Sequence, residues 1–394
     1  MIYLFCLYGE SLVTLHYQET QTAVIMKNKT YNTDHFYCLI LAGGKGRRLW
    51  PVSQQEKPKQ FIDFFGTGKS LLQQTYERFC NILPEDHIYV STFAEYSSMV
   101  RAQLPQLPAR RLLCEPVRRN TTPIAAWATH RIENIDPSAT LVITPSDQFI
   151  TDEAAFRDDM LQAMHHASEE KCFLTMGIRP TRPEPGYGYL QIGDVCDTSA
   201  DEPSIFKVNT FIEKPEREFA EMFIKSREFL WNTGLFISTV ATIHNRLASV
   251  LPDVLRQLDS TFPEKTVEAE ERWINDHYAT YPNISLETAF LDRTDGVAVK
   301  LCHFGWADIG SWHGIYEAFA LNSDDNVVLK NESMLSDTTG CVISLPDGKT
   351  AIINGLHNFI VAEHGNILLI TPRNDSSNQV IRMLTNFEID KGRQ

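Results

Sequence analysis

The stretch that most narrows the fold of this 394-residue chain is Tyr37–Phe65, YCLILAGGKGRRLWPVSQQEKPKQFIDFF. Its apolar opening, Tyr37 to Leu41, is short and stopped by glycine, so it reads as a buried strand. Gly43, Gly44 and Gly46 then allow a tight turn in which backbone approaches a ligand closely. Lys45, Arg47, Arg48, Lys57 and Lys59 place five cations between Lys45 and Lys59 against one acid, Glu56. In a chain of net charge -14, that local reversal of sign points to an anion, and a glycine loop behind a strand points to phosphate. A plain strand-to-helix connector is the alternative for the glycines alone. The dinucleotide spacing GxGxxG fails, because Leu49 stands where the third glycine belongs, and the GxxxxGK[ST] spacing is also absent.

Downstream, Ser70–Cys80 reads as an amphipathic helix, His87–Ser91 as a strand, Glu95–Gln103 as a helix and Arg111–Cys114 as a strand. A helix begins near Thr121 or Thr122, with Pro123 in its first turn. Leu141–Ile150 is a further buried strand, ending in Pro145, Ser146 and Asp147. Such alternation predicts a mostly parallel, Rossmann-like sheet with helices on both faces and ligands at the carboxyl ends of the strands. Apolar spacing through Val240–Ala279 predicts scaffold helices. After Asn322 come short strands, NVVLK, CVISL, AIIN, FIVAE and NILLIT, which predict a small β domain. The expected organisation is an unplaced extension over 1–35, a catalytic domain over 36–321 and a β domain over 322–394. Met26, followed by KNKTYNTDHFYCLILAGG, reads as a natural start, with residues 1–25 as an extension.

The acidic balance argues against nucleic acid or an anionic membrane as partner, so the basic loop serves a small ligand. Eight cysteines are scattered without a CxxC pair, which fits reduced thiols in a cytoplasm. No apolar run approaches the roughly 18 residues of a membrane span. The N-terminus lacks the basic region of a signal peptide.

GGxGxRLxP followed by KPKQF is more specific than any single glycine pattern. Five later segments appear in order: EPVRRNTTP (115–123), PEPGYGY (183–189), FIEKP (211–215), WNTGLF (231–236) and GWADIGSW (305–312). With TPSD (144–147) they resemble the nucleotidyltransferases that make sugar nucleotides, in particular the mannose-1-phosphate guanylyltransferases. The resemblance implies GMP transfer from GTP to mannose 1-phosphate, dependent on Mg2+ or another divalent cation. It implies a nucleotide site of Leu41, Ala42, Gly43, Gly44, Lys45, Gly46, Glu115, Arg119, Asn120 and Thr121, with Arg48, Lys57 and Lys214 as catalytic cations. Asp147 and Asp308 become the metal ligands. Gly186, Tyr187, Gly188, Glu213, Asn232 and Glu287 become the sugar site.

Local readings stand beside these roles. Helix capping explains the threonines at 121 and 122, a hairpin explains the glycines around Tyr187, and a solvated ion pair explains Glu213 with Lys214. The chain departs from the family pattern at Gln148 for His, Pro185 for Thr, Glu287 for Asp and Thr288 for Tyr. These keep open another sugar 1-phosphate or base, or a non-catalytic regulatory relative. The resemblance further implies a left-handed β-helix-like tail serving packing or homo-oligomerisation, in a form without an appended isomerase domain.

Overall fold

Phe36–Leu41 (β1) has no polar face because both faces are packed against cores, and parallel partners bond it along both edges. These are β2 (Ile88–Phe93) and β4 (Thr140–Pro145), while β3 (Leu112–Glu115) adds to the outer side of β2. The computed structural model describes residues 31–197, 203–260, 266–292, 294–322, 324–373 and 376–391. The reading of residues 1–25 therefore lies outside the described residues.

Successive side chains of β1 enter opposite cores. Tyr37 and Leu39 pack with helices Thr121–Glu133 and Val240–Val250, whereas Cys38 and Ile40 pack with Leu71–Cys80 and Glu153–Glu170. Helices thus cover both faces, as the alternation predicts.

The sheet is mixed rather than mostly parallel. Past the short β5 (Gln148–Ile150) come β6 (Phe173–Ile178), β7 (Gly188–Val195), β8 (Ile205–Glu213), β9 (Phe229–Thr239) and β10 (Val297–Cys302). The nine-stranded order is β3-β2-β1-β4-β9-β6-β10-β8-β7. β9 runs antiparallel to β4, β6 and β7, and β8 antiparallel to β7 and β10. In this half only β6 and β10 are parallel. The physical reason is connection length, since the short link from β7 to β8 cannot carry a crossover helix and folds as a hairpin. β11 (Trp306–Asp308) pairs with β5 outside the main sheet.

Beyond residue 322 lie β12 (Val327–Leu329), β13 (Ser333–Ser336), β14 (Val342–Ser344), β15 (Ala351–Asn354), β16 (Phe359–His364) and β17 (Ile367–Pro372). β12, β14 and β16 pair in parallel with β17 antiparallel at the edge, and β13 pairs with β15. These small sheets share a core with the sequence behind the phosphate loop: Val342, Ile360 and Leu384 cluster with Leu49, Trp50 and Trp312. The helix Ser376–Lys391 also meets that loop directly, through Arg47 Nη2 to Glu388 Oε2 at 2.8 Å and Trp50 against Phe387 at 5.7 Å. Among the described residues no helix is long and apolar enough to cross a membrane.

The helix Val267–His277 is fastened to Thr121–Glu133 by a buried ion pair. Arg131 Nε meets Glu270 Oε2 at 2.9 Å, and Trp127 Nε1 donates to Glu270 Oε1 at 2.5 Å. Glu270→Ala strands the buried Arg131 charge and is expected to cost about 3 kcal/mol of unfolding free energy. Urea titration checks this, and a loss below about 1 kcal/mol would mean that water or another acid replaces Glu270.

Candidate active site

β1 ends at Leu41, and the carbonyls beyond it are taken up by the protein. Gln60 Nε2 donates to Ala42 O and to Gly44 O, both at 3.0 Å. Thr92 Oγ1 donates to Ala42 O at 2.9 Å, and Arg118 Nη1 to Gly43 O at 2.9 Å. Ala42 N is bonded to Ser91 O at 2.8 Å, whereas among the described residues no backbone acceptor takes the amides of Gly43, Gly44, Lys45 or Gly46. A loop with occupied carbonyls and unclaimed amides is an anion cradle. Gly46 has φ 63°, and a Cβ there would overlap Ser53 Oγ, so only glycine closes this turn. Arg48 follows in the short turn Arg47–Leu49.

The two predicted acids come together. Asp147 lies just past β4, and the pairing of β11 with β5 sets Asp308 opposite its neighbour Gln148. Burial raises the Asp308 carboxyl above its ordinary range; Lys59 and Arg48 pull it back, while Asp147 and Glu184 add to the rise. A Cβ on Gly310 would lie 2.6 Å from Arg48 Nη2 and 2.7 Å from Asp308 Oδ2, so those two groups converge on the space glycine leaves.

Lys59, rather than Lys57, reaches this centre. Lys59 is 7% exposed and its Nζ is ion-paired with Asp147 Oδ2, whereas the Lys57 side chain is exposed. The cause is the turn Lys59–Phe61 that begins after Pro58: it rotates Lys59 inward and leaves Lys57 on the approach. Two carboxylates near a recessed ammonium offer hard oxygen donors of the kind that Mg2+ takes, with phosphate oxygens and water completing its shell. Among the described residues no group of three or more His, Cys, Asp or Glu gathers for a metal. The donor set therefore fits a cation shared with a phosphate ligand, and fits a closed protein cage poorly.

Glu115 ends β3 and is 4% exposed, with Oε2 accepting from Tyr278 Oη at 2.6 Å. Burial pushes its carboxyl up to about 7, against the opposing effects of Tyr278 and Arg118. Arg119 donates through Nη2 to Ala279 O. Asn120, at φ 64°, caps the following helix by accepting from Thr121 N at 3.0 Å, and Thr121 Oγ1 accepts from Leu286 N at 2.8 Å.

The predicted sugar residues form a second group. Tyr187 stands edge-on to Trp231 at 5.2 Å and to Trp306 at 5.1 Å, two residues before Asp308. Gly186 N donates to Glu184 Oε1 at 3.0 Å. Gly188 is opposite Glu213 in the β7–β8 ladder, and its missing Cβ admits Phe211. Glu213 and Lys214 are exposed and paired at 2.5 Å. Asn232 Oδ1 accepts from Thr175 Oγ1 at 2.9 Å and Gly234 N at 3.3 Å. Glu287 opens the helix Leu286–Phe290; burial raises its carboxyl, Glu213 adds to the rise and Lys214 offsets it, so these three share one neighbourhood.

Residues 37–324 match the family described as nucleotidyl transferase. The chain belongs to that family. Among curated relatives, the mannose-1-phosphate guanylyltransferase of Klebsiella pneumoniae is 30% identical over 341 residues, covering 86% of this chain and 71% of that protein. The enzyme of the same name from Escherichia coli gives the same figures. A crystal structure named mannose-1-phosphate geranyltransferase, from Thermus thermophilus, superposes with TM-score 0.79 and 28% identity, covering 90% of this chain and 99% of that one.

For a nucleotidyl transferase, the residues to which sequence reasoning gave no site role are Lys59, counted there only among the loop cations, and Gln60, Glu184, Tyr278 and Gly310. Pro58 signals a turn that separates the facing of Lys57 from that of Lys59. Tyr278 carries no local signal, since its partner is 163 positions away. Gly310→Ala is expected to keep the fold and to lower turnover about a hundredfold by displacing Arg48 or Asp308 by a fraction of an ångström. Near-normal turnover in a folded Gly310→Ala would show that the gap plays no part in the reaction.

Proposed function

We propose that this protein transfers GMP from GTP to mannose 1-phosphate, giving GDP-mannose and pyrophosphate. The observation that carries this reading is the convergence of Asp147, Asp308, Lys59 and Arg48 beside a loop of unclaimed amides. The names and coverage of the curated relatives support the choice of substrates.

A phosphate oxygen of the sugar phosphate attacks the α-phosphorus, the bond to the bridging α–β oxygen breaks, and pyrophosphate departs with that electron pair. The nucleophile is already anionic, so no general base is required; positioning and charge neutralisation carry the catalysis. The amides of Gly43 to Gly46 and Lys45 hold the triphosphate, with Leu41 and Ala42 shaping the floor. Arg48 faces the departing pyrophosphate. Lys59 stabilises the transferring phosphate, with Lys57 guiding anions from the rim. Asp147 and Asp308 would hold a divalent cation such as Mg2+, which would supply charge neutralisation for the transfer. Glu115 accepts from guanine N1–H and the exocyclic amine, while Arg119, Asn120 and Thr121 frame the base. Gly186, Tyr187, Gly188, Glu213, Asn232 and Glu287 hold the sugar, and Lys214 its phosphate. All seven cysteines among the described residues are free, which supports a cytoplasmic setting. The parallel rungs beyond residue 322 support a β-helix-like tail, and homo-oligomerisation through that tail is part of the proposal.

Pyrophosphate release with Mg2+, crossing GTP, ATP, UTP and dTTP against mannose, glucose and fucose 1-phosphates, tests the assignment. Release confined to GTP with mannose 1-phosphate is expected. Release with another pair corrects the substrate, and silence across the grid from folded protein that binds nucleotide favours a non-catalytic relative. Asp147→Ala and Asp308→Ala are expected to abolish Mg2+-dependent turnover. Lys59→Met should lower kcat by about a hundredfold and Lys57→Met by far less, because only the former faces the centre. Equal losses in single-turnover assays would return Lys57 to the catalytic group.

A further inference from the structure

Glu115 is buried at the end of an edge strand, and Tyr278 is the side chain that donates to its carboxylate. Tyr278 is itself wholly buried, edge-on to Trp127 at 6.3 Å and against Tyr281 at 5.2 Å. Its segment is fastened independently of that hydrogen bond. The Arg131–Glu270 pair holds the preceding helix, Arg119 bonds Ala279 O, and Thr122 N donates to Ile284 O at 3.0 Å. The tyrosine hydroxyl therefore has a fixed place relative to Glu115, and the contact reaches across the base-side segment 115–121.

An ionised carboxylate only accepts hydrogen bonds, whereas a protonated carboxyl both accepts and donates. Guanine presents two adjacent donors, N1–H and its exocyclic amine. Adenine presents an acceptor, N1, beside its amine. The ionised form of Glu115 therefore matches guanine and the protonated form matches adenine.

We propose that Tyr278 is a positioning residue for base choice: its hydroxyl, donating to Glu115 Oε2, keeps that side chain in the acceptor-only form that selects guanine over adenine. This rests on the reading that Glu115 faces the base. Burial pushes the Glu115 carboxyl up to about 7, and the Tyr278 hydrogen bond, then Arg118, oppose that push. Arg118 is committed to Gly43 O and Glu95, while Arg119 and Tyr281 act on the Tyr278 side. Loss of the hydroxyl moves the Glu115 carboxyl further up, so guanine affinity is present above the new midpoint and lost as pH falls through it.

The test is equilibrium binding of GTP and of ATP to the full chain, without sugar phosphate, from about pH 6 to about pH 9. In wild type the GTP preference is expected to fall as pH drops below about 7. Tyr278→Phe keeps the ring, and at neutral pH its GTP-over-ATP ratio should fall about tenfold and recover toward pH 9, one pK unit corresponding to tenfold. Ratio and pH profile unchanged from wild type would overturn the proposal and leave Tyr278 a packing residue. Glu115→Gln, whose amide donates as well as accepts, should shift preference toward ATP. An unchanged ratio in that variant sinks the underlying reading of Glu115, whereas a shift there with an unaffected Tyr278→Phe sinks the role of Tyr278 alone. Should Tyr278→Phe fail to fold, a wild-type GTP preference flat across the pH range overturns the proposal.

Discussion

The ion pair of Lys59 with Asp147 is the contact on which the site depends. It ties the turn behind the phosphate loop to the end of a central strand, in a place where neither charge is well solvated. A buried charge left without its partner is far more costly than the pair is favourable, so the two positions constrain each other strongly. The next residue, Gln60, holds two loop carbonyls, and Phe61 sinks into the core beside Tyr96 at 5.9 Å. One three-residue turn therefore sets the loop, places the cation and anchors both to the hydrophobic interior.

The mixed sheet divides the labour of the site. Its parallel half presents strand ends in one direction, which gathers the phosphate loop, Glu115 and Asp147 along one edge. The antiparallel β9 lies between β4 and β6 and brings Asn232 and Gly234 beside that edge. The β7–β8 hairpin then sets Gly188 across from Glu213. An all-parallel sheet has no hairpin with which to face two such residues across a ladder.

Much of this was legible in the sequence. The glycine loop, the four parallel strands and the helices on both faces follow from apolar runs and punctuation, whereas the nearness of Asp147 to Asp308 was implied only by the family resemblance. What was not legible depends on geometry that single residue types do not encode. Lys57 and Lys59 are chemically the same, and only the turn after Pro58 distinguishes them. The antiparallel course of β9 between β4 and β6 is a matter of pairing partners, which its own apolar run does not encode. Tyr278 sits in a segment whose periodicity announces scaffold, and its hydroxyl acquires a role only when a distant strand end arrives beside it.

The helix Ser376–Lys391 rests on the turn that carries Arg48, through Glu388 and Phe387. The mobility of that turn is thereby coupled to the local stability of the chain's far end. The clamp acts on Arg47 and Trp50, whereas the amides of Gly43 to Gly46, with no backbone acceptor among the described residues, exchange without waiting for that helix to lift. A ligand that draws Arg47 toward itself therefore competes with Glu388, a partner 341 positions away in sequence.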